Sequence, residues 1–373
     1  MKIINGRVYI DGGFEPLELS FGRTIKEVAK RLPAGESFDA AGMYIVPGFI
    51  DTHIHGFAGC DTMDGADAVR TMSRELVKHG TTSFLPTTMT ASIDETKAAI
   101  EGVAQVMREK PAGSVPLGVN MEGPFFCAAK KGAQPAEHLR LPSMDDYDNM
   151  VDANADIVRR LALAPELEGA LPVIRELIRL GVQVSLGHTD ATYEQMMAAV
   201  NAGASSVTHM FNAMSPFTHR QPGAVGAGLA CRQLMCEFVA DMVHLHPAAI
   251  RAMLAAKGED MCVAITDSMM AGGMPDGEYT LGGQPVFVKD NAACLANGTL
   301  AGSVLTLHKS LLNMVNIVGV PLEQALPMYT ESPARLIGEQ NRGRIEVGFD
   351  ADILALDAAL NIKAVWVGGK RAV

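Results

Sequence analysis

Residues 47–56, with the sequence PGFIDTHIHG, are the part of the chain that decides its fold. They begin as a short apolar run, which is typical of a buried strand, and end with two histidines, His53 and His55. Residues two apart in a strand point to the same face, so both imidazoles are expected on one side of the segment. The stretch therefore predicts a buried strand with metal-binding side chains at its carboxyl end.

Short apolar runs alternate with helical segments along the middle of the chain. The predicted strands cover residues 44–52, 82–86, 116–121, 157–163, 183–186, 206–208, 234–240 and 261–266. The predicted helices between them cover residues 66–78, 92–108, 171–179, 193–201 and 247–256. Periodicity alone does not separate a closed barrel from an open sheet. The number of strands and the placement of the motifs favour an α/β fold of the (β/α)8 TIM type.

The two ends of the chain have a different pattern. Residues 2–10 alternate like a strand before an Asp-Gly-Gly turn, and residues 351–356 and 362–367 form similar short runs. The glycine-rich residues 272–302 are expected to leave the barrel after its eighth strand. The expected domains are a small β-sandwich formed by residues 1–46 and 344–373, and a catalytic barrel formed by residues 47–343.

Composition excludes several classes of protein. The 373 residues include 31 Lys and Arg against 42 Asp and Glu, and the resulting net charge of −11 argues against a nucleic-acid partner. Apolar residues make up 48% of the chain, enough for a large core. No apolar stretch approaches the ~18 residues that span a membrane, and no signal peptide is evident. Six cysteines without a Cys-x-x-Cys pair fit a reducing compartment, so we expect a cytoplasmic protein.

Metal-binding or acidic side chains stand at the carboxyl ends of several predicted strands. They are His53 and His55 after the first strand, Glu122 after the third, His188 after the fifth, His209 after the sixth and Asp267 after the eighth. One such residue alone is more often a hydrogen-bonded structural residue or a helix cap. The whole set favours a metal site, because barrel active sites are built at this end of the strands.

The types of these side chains define the expected ion. Nitrogen and carboxylate ligands suit Zn²⁺, with Fe²⁺, Co²⁺, Ni²⁺ and Mn²⁺ as alternatives. We expect one divalent cation at Glu122, His188 and His209, with a position left for a water whose pKa falls to ~7. Asp267 is then placed to move the proton of that water to a leaving nitrogen. The pair His53 and His55 is expected to hold a second ion or to bond the substrate.

Longer motifs extend over nearly the whole chain. Besides PGFIDTHIHG, they are MEGPFF, KKGAQ, SLGHTDA, THMFNAMSPF, ADMVHLHP, ITDSMMAGG, GTLAGS, SPARLIG and GRIEVGFDADI. Together they resemble the amidohydrolase superfamily, and within it the N-acetylglucosamine-6-phosphate deacetylases. Many other superfamily members bridge two metals with a carboxylated lysine, but no lysine stands at the fourth strand end, near residues 163–165. The deacetylases use a glutamate as the metal ligand in place of that lysine, and Glu122 matches this glutamate.

The resemblance implies a reaction and a set of site residues. The implied reaction converts N-acetylglucosamine 6-phosphate to glucosamine 6-phosphate and acetate. Asp267 matches the catalytic acid and base, and His244 matches the histidine that holds the substrate and polarises its amide carbonyl. Arg220 matches a phosphate-binding arginine that comes from the other subunit of a homodimer. The other matched substrate-binding positions are Ala133, Asn212, Ala213, Leu300, Ala301 and Gly302.

Three alternatives stay open at this point. N-Acetylgalactosamine 6-phosphate differs from the expected substrate only at one hydroxyl, and no residue of the sequence decides between the two. A cyclic-amide or purine amidohydrolase fits less well, because the bridging lysine is missing. A non-catalytic relative is expected to have lost ligands that this chain keeps. His219, beside Arg220, departs from the family pattern, and no role is assigned to it. His246 is expected to be a surface residue before Pro247.

Overall fold

The computed structural model describes the whole chain, residues 1–373. The strands are β1 (Lys2–Ile10), β2 (Gly13–Phe21), β3 (Ile25–Ala29), β4 (Ser37–Asp39), β5 (Tyr44–Pro47), β6 (Phe49–Ile54), β7 (Gly56–Phe57), β8 (Cys60–Asp61), β9 (Thr81–Thr88), β10 (Val115–Pro116), β11 (Val119–Glu122), β12 (Val158–Leu163), β13 (Gln183–Leu186), β14 (Ser206–Val207), β15 (Met235–Val239), β16 (Cys262–Ile265), β17 (Gly277–Leu281), β18 (Gln284–Lys289), β19 (Ala292–Leu295), β20 (Ile353–Leu356), β21 (Ile362–Val367) and β22 (Lys370–Arg371). The α-helices are α1 (Ala66–Leu76), α2 (Ile93–Glu109), α3 (Met144–Val151), α4 (Ala170–Arg179), α5 (Tyr193–Ala202), α6 (Gly223–Ala230), α7 (Pro247–Lys257), α8 (Leu307–Asn313), α9 (Leu322–Ala325) and α10 (Glu331–Leu336).

A ring of parallel strands forms the centre of the molecule. Its members are β6, β9, β11, β12, β13, β14, β15 and β16, paired in that order. The ring closes where the backbone N–H of Asp267 donates to His53 O and the N–H of His55 donates to Ser268 O, both at 2.9 Å. Strands such as β15 and β16 are buried along their whole length, as expected for parallel strands that helices cover. The predicted (β/α)8 barrel is confirmed.

The segment that opens the barrel consists of two strands, although the sequence predicts one over residues 44–52. Strand β5 pairs with β1 and β20 outside the barrel, whereas β6 pairs with β9 inside it. The break falls at Pro47 and Gly48, where proline lacks a donor for a continuous ladder. A Cβ atom on Gly48 would lie 2.1 Å from Thr82 Oγ1, so only glycine permits this close approach.

Both chain ends contribute to one mixed sheet, which we call the terminal sheet. Its order is β22-β21-β20-β5-β1-β2-β3, and β4 pairs with β1. A separate core of 13 buried apolar residues lies within it, including Trp366, Phe21 and Ile353. The Trp366 ring meets the edges of Phe21 and Phe38 at centroid distances of 6.1 Å and 5.2 Å. A β-domain built from both ends is thus confirmed, and the limits at residues 46 and 344 stay a prediction.

The glycine-rich excursion after the eighth barrel strand forms its own small sheet. Strands β17, β18 and β19 are antiparallel and pack over the carboxyl ends of the barrel strands, which we call the barrel mouth. Leu281 belongs to the apolar cluster beneath this sheet, together with Met89 and Ala133. Gln284 Nε2 donates to Ala133 O at 2.6 Å. The excursion therefore covers one side of the mouth.

The main core lies between the barrel strands and the surrounding helices and contains 65 buried residues. A second cluster, which includes Ile50, Leu85 and Val263, extends to Leu336 of α10. Helix α6 has the sequence GAVGAGLA and was not predicted, because glycine is unfavourable in helices; burial stabilises it here. No helix in the structure combines the length and the apolar character needed to cross a bilayer.

Candidate active site

All six strand-end side chains that the sequence singles out meet at the barrel mouth. Glu122 is the last residue of β11, and His53 lies in β6. His188, His209 and Asp267 each follow a strand by two residues, with φ values of 47°, 29° and 49°. These left-handed conformations are uncommon for residues with a Cβ atom and cluster at functional sites. The turn that they produce aims three side chains from different strands at one point.

The first ligand group consists of Glu122, His188 and His209. Glu122 Oε1 lies 3.3 Å from His188 Nε2 and 3.1 Å from His209 Nε2, and the two Nε2 atoms are 3.1 Å apart. All three residues are buried. The ligand atoms all lie within 4.8 Å of one another, close enough for one metal ion to contact all three.

A second group shares Glu122 and adds the two histidines of β6. His55 Nε2 is 3.1 Å from Glu122 Oε2, and His53 Nε2 is 3.5 Å from Glu122 Oε1. The Nε2 atoms of His53 and His55 are 3.3 Å apart. The ligand atoms of this group also lie within 4.8 Å of one another, so the group could hold a metal ion. The carboxylate of Glu122 therefore contacts both groups: Oε1 lies near His188, His209 and His53, and Oε2 lies near His55.

The chemistry of these donors fits a divalent cation. His188 Nδ1 lies 2.9 Å from the carbonyl oxygen of Lys130, which accepts its proton, so His188 Nε2 presents a lone pair. That lone pair points at His209 Nε2 and at Glu122 Oε1. The ionised carboxylate of Glu122 carries no proton of its own. Lone pairs brought this close repel each other, and a cation between them removes the repulsion. A histidine whose other nitrogen donates to a carbonyl is also the usual arrangement of a metal ligand.

Asp267 lies on the side of the cluster nearest β6. Its Oδ1 is 3.4 Å from His55 Nε2 and 3.5 Å from His53 Nε2. Burial raises the pKa of Asp267, but the His53 and His55 imidazoles lower it by more, so the net pKa is below its usual value. The carboxylate is therefore ionised at neutral pH and available to accept a proton.

His244 reaches the same cavity from the loop after β15. Its Nδ1 lies 2.7 Å from Asp241 Oδ2, while Asp241 Oδ1 accepts the backbone N–H groups of Val243 and His244 at 2.9 Å and 2.8 Å. Burial lowers the pKa of His244, but the hydrogen bond and the charge of Asp241 raise it by more, so the net pKa lies above its usual value. Asp241 therefore orients the ring and leaves Nε2 for a ligand.

A cavity of about 340 Å³ opens onto these side chains. The predicted substrate-binding residues that line it are Ala133, Asn212, Ala213, His244, Leu300 and Gly302. Ala301 does not line it, and its side chain packs in the apolar cluster beneath the small sheet. Arg220 lies on the surface, in an exposed run at residues 216–221 that also contains His219. His246 is exposed and caps α7 through its Nδ1 atom, as the sequence predicts for a surface residue.

Two residues of the site, Gln134 and Asp241, are not predicted from the sequence. Gln134 Nε2 donates to Glu122 Oε2 at 2.7 Å, and Gln134 Oε1 accepts the backbone N–H of Thr90 at 2.9 Å. The Thr90 contact fixes the direction of the amide, so its N–H must face Glu122. Nothing in the loop sequence indicates this contact. Asp241 follows β15 by two residues, and the strand-end rule applied above would have found it.

An α/β barrel whose strand ends bring histidines and a carboxylate together above a cavity is the architecture of a metal-dependent hydrolase. The model of the amidohydrolase family matches residues 44–372, and the chain belongs to this family.

Sugar-phosphate deacetylases are among the relatives with known names. The N-acetylglucosamine-6-phosphate deacetylase of Lysinibacillus sphaericus is 39% identical over 349 residues, which cover 93% of this chain and 90% of the relative. The N-acetylgalactosamine-6-phosphate deacetylase of Escherichia coli O157:H7 is 39% identical over 330 residues, which cover 88% and 87%.

The fold is also similar to solved structures. One is a mutant of N-acetyl-D-glucosamine-6-phosphate deacetylase from Mycobacterium smegmatis in complex with N-acetyl-D-glucosamine 6-phosphate. It is 30% identical, with a TM-score of 0.93 over 100% of this chain and 99% of the other. The similarity includes the terminal sheet as well as the barrel.

Proposed function

We propose that this chain hydrolyses the acetamide of N-acetylglucosamine 6-phosphate to glucosamine 6-phosphate and acetate. One observation carries the proposal. Glu122, His188 and His209 converge with Asp267 and His244 at one cavity, so metal ligands, a proton acceptor and a polar group for the carbonyl face the same space. Relatives named for this reaction match nearly the whole chain.

Glu122, His188 and His209 are the residues proposed to hold the required cation. Such an ion, when bound, lowers the pKa of water and polarises an amide carbonyl. Zn²⁺ is the preferred ion, because the donors are nitrogen and carboxylate oxygen. His53, His55 and Glu122 are the residues that would hold a second ion, since Glu122 belongs to both ligand groups.

The remaining groups of the cavity account for the movement of protons. Asp267 Oδ1 accepts a proton as the water oxygen bonds to the acetyl carbon. It returns that proton to the sugar nitrogen as the carbon–nitrogen bond breaks, because an unprotonated amide nitrogen leaves poorly. The pairing with Asp241 raises the pKa of His244, and the protonated imidazole donates from Nε2 to the carbonyl oxygen on which negative charge develops, while Asp241 holds the ring in place.

A phosphate dianion needs cations, and this chain offers few within the cavity. Lys130 is the only lysine or arginine among the lining residues, and its Nζ lies 3.3 Å from Asp190 Oδ1. Asn212 and Ala213 also line the cavity, but neither carries a positive charge. The exposed Arg220 is proposed to reach the phosphate from a second copy of the chain, in a homodimer, where its forked guanidinium matches the phosphate oxygens.

The surroundings of the enzyme are part of the proposal. All six cysteines are free thiols, and three of them are buried. A protein with this many reduced thiols fits a reducing compartment, so we propose a cytoplasmic location.

N-Acetylgalactosamine 6-phosphate is a second candidate substrate, since a relative of equal identity is named for it. The two sugars differ only in the direction of one hydroxyl. Acetate release should therefore be measured with both sugar phosphates and with unphosphorylated N-acetylglucosamine. We expect the highest kcat/KM with N-acetylglucosamine 6-phosphate. A higher value with the galactose epimer would transfer the assignment to that sugar, and no acetate from either would contradict the proposal.

Metal removal tests the cation. Exhaustive chelation should abolish acetate release, and added Zn²⁺ should restore it, because the side chains alone cannot lower the pKa of the attacking water. Full activity in protein shown by elemental analysis to be metal-free would contradict a metal-dependent reaction. The same titration counts the ions bound per chain.

A further inference from the structure

A buried ion pair crosses the interior of the barrel beneath the metal-binding cluster. Arg160 of β12 and Glu237 of β15 are both fully buried and form a salt bridge through Arg160 Nη1 and Glu237 Oε1. Arg160 Nη2 also donates to Ser206 Oγ at 3.3 Å. Removing two charges from water is costly and often gives less stability than apolar packing of the same volume. A pair kept at this position therefore calls for an explanation other than stability.

The two carboxylate oxygens of Glu237 have different surroundings. Oε1 takes part in the salt bridge and accepts the hydroxyl proton of Thr52 at 3.1 Å. Oε2 is buried and has no hydrogen-bond partner. It lies 3.6 Å from Nδ1 of His53, which is also buried without a partner. The unpaired donor and acceptor face each other, and a small rotation of either side chain brings them within hydrogen-bond distance.

We propose that Glu237 is a positioning residue for His53. It accepts the Nδ1 proton of the imidazole, so that the lone pair of Nε2 faces Glu122 and His55, and Arg160 supplies the charge that keeps this carboxylate in the barrel interior. A neutral imidazole carries one proton, and the partner of one nitrogen decides which nitrogen binds a metal. The inference rests on the proposed metal site. It assigns to Glu237 the orientation of the His53 imidazole, a role that the proposed reaction does not include.

The side chains of the barrel interior are consistent with this role. His188 obtains the same arrangement from the backbone carbonyl of Lys130, at 2.9 Å from its Nδ1. His53 Nδ1 has no such carbonyl partner, and the acceptor that faces it is the side-chain oxygen Oε2 of Glu237. Glu237 of β15 extends across the ring to this position. Partners of this kind typically change metal affinity 10–100-fold when they are removed.

Two double variants test the proposal without leaving a buried charge unpaired. Arg160→Met with Glu237→Gln removes both charges but keeps an oxygen that accepts the Nδ1 proton. Arg160→Met with Glu237→Leu removes the charges and the acceptor while keeping a similar volume. Ser206→Ala is the control, because it disturbs Arg160 and leaves Glu237 and His53 in place. Zn²⁺ binding to each purified protein is measured by competition with a chelator of known affinity.

We expect the Glu237→Gln double variant and the control to bind Zn²⁺ like the original chain, and the Glu237→Leu double variant to bind at least one ion 10–100-fold more weakly. Equal binding by both double variants would overturn the proposal, and so would equal losses, because charge or packing would then be the cause. In Zn²⁺-loaded protein with isotope-labelled histidine, NMR should show a proton on His53 Nδ1, and an unprotonated Nδ1 would also overturn it. An inactive chain with the expected binding pattern would contradict the proposed function and still support the role of Glu237.

Discussion

The barrel mouth and the terminal sheet both bury their side chains, but the groups that they bury are of opposite kinds. At the mouth, four histidines and two carboxylates each lie within 3.5 Å of another member of the cluster, and Nδ1 of His55 and of His209 has no partner. In the terminal sheet, 13 apolar residues pack around Trp366 and Ile353. The first arrangement concentrates like charges and lone pairs, whereas the second removes apolar surface from water.

This difference separates function from stability within one chain. Residues at the mouth adopt strained backbone conformations, such as φ of 47° at His188 and 29° at His209, which the surrounding barrel must stabilise. Residues in the terminal sheet contribute to stability and lie outside the cavity. Substitutions at the mouth should therefore reduce turnover with little loss of folding, and substitutions in the terminal sheet should do the reverse.

The largest expected effect is at the mouth. Asp267→Asn keeps the size of the side chain but cannot accept a proton, so kcat should fall about 10²–10⁴-fold. Metal content and the denaturation midpoint should stay close to those of the original chain. Acetate release and elemental analysis measure the two sides of this prediction. Near-normal turnover in the variant would remove Asp267 from the reaction.

The reverse experiment uses the terminal sheet. Trp366→Ala removes the largest fully buried side chain and should lower the free energy of unfolding by about 3–5 kcal/mol. The kcat of the folded protein should not change, because Trp366 does not line the cavity. Val347→Ala, in the turn before β20, is a suitable control, since Val347 is 59% exposed and should change the free energy by less than about 0.5 kcal/mol. A large loss of kcat in folded Trp366→Ala would show that the two regions are coupled.

A smaller effect is expected for the proposed contact between subunits. Arg220→Ala should raise KM for the phosphorylated sugar about 10–100-fold, the value of a charge-assisted hydrogen bond to phosphate. KM for unphosphorylated N-acetylglucosamine should change little. Arg232→Ala, at another exposed arginine, serves as the control. Equal changes in KM for both sugars would mean that Arg220 does not bind the phosphate.

The smallest expected effect concerns pH and stability at the edge of the mouth. Asp241 raises the net pKa of His244 above its usual value, so their pairing stabilises the fold fully below the ordinary histidine pKa of about 6.5. This stabilisation is lost as the pH rises through the raised pKa of His244. Asp241→Asn should therefore destabilise the protein more at about pH 5.5 than at about pH 9. Equal shifts in the denaturation midpoint at both pH values would contradict the pairing.

Much of the fold could be predicted because apolar runs and helical periodicity are local features of the sequence. The eight apolar runs correspond to barrel strands, and the predicted helices at 66–78 and 92–108 overlap α1 and α2. The division of residues 44–52 between two sheets was missed, because each half is apolar and only pairing distinguishes them. Helix α6 was missed because its glycines oppose helix formation unless the segment is buried.

The sequence by itself determined which side chains stand at the strand ends, because the end of an apolar run marks the end of a strand. It also determined which metal-binding atoms these side chains carry. Only the tertiary structure decided that Gln134 contacts Glu122, that Asp241 contacts His244 and that Glu237 lies beside His53. Those pairs are 12, 3 and 184 residues apart, respectively. Hydrogen bonds act over about 3 Å, so the distant pair of Glu237 and His53 depends on how the ring closes and how its strands register, and the two nearer pairs depend on the path of the loops after β11 and β15.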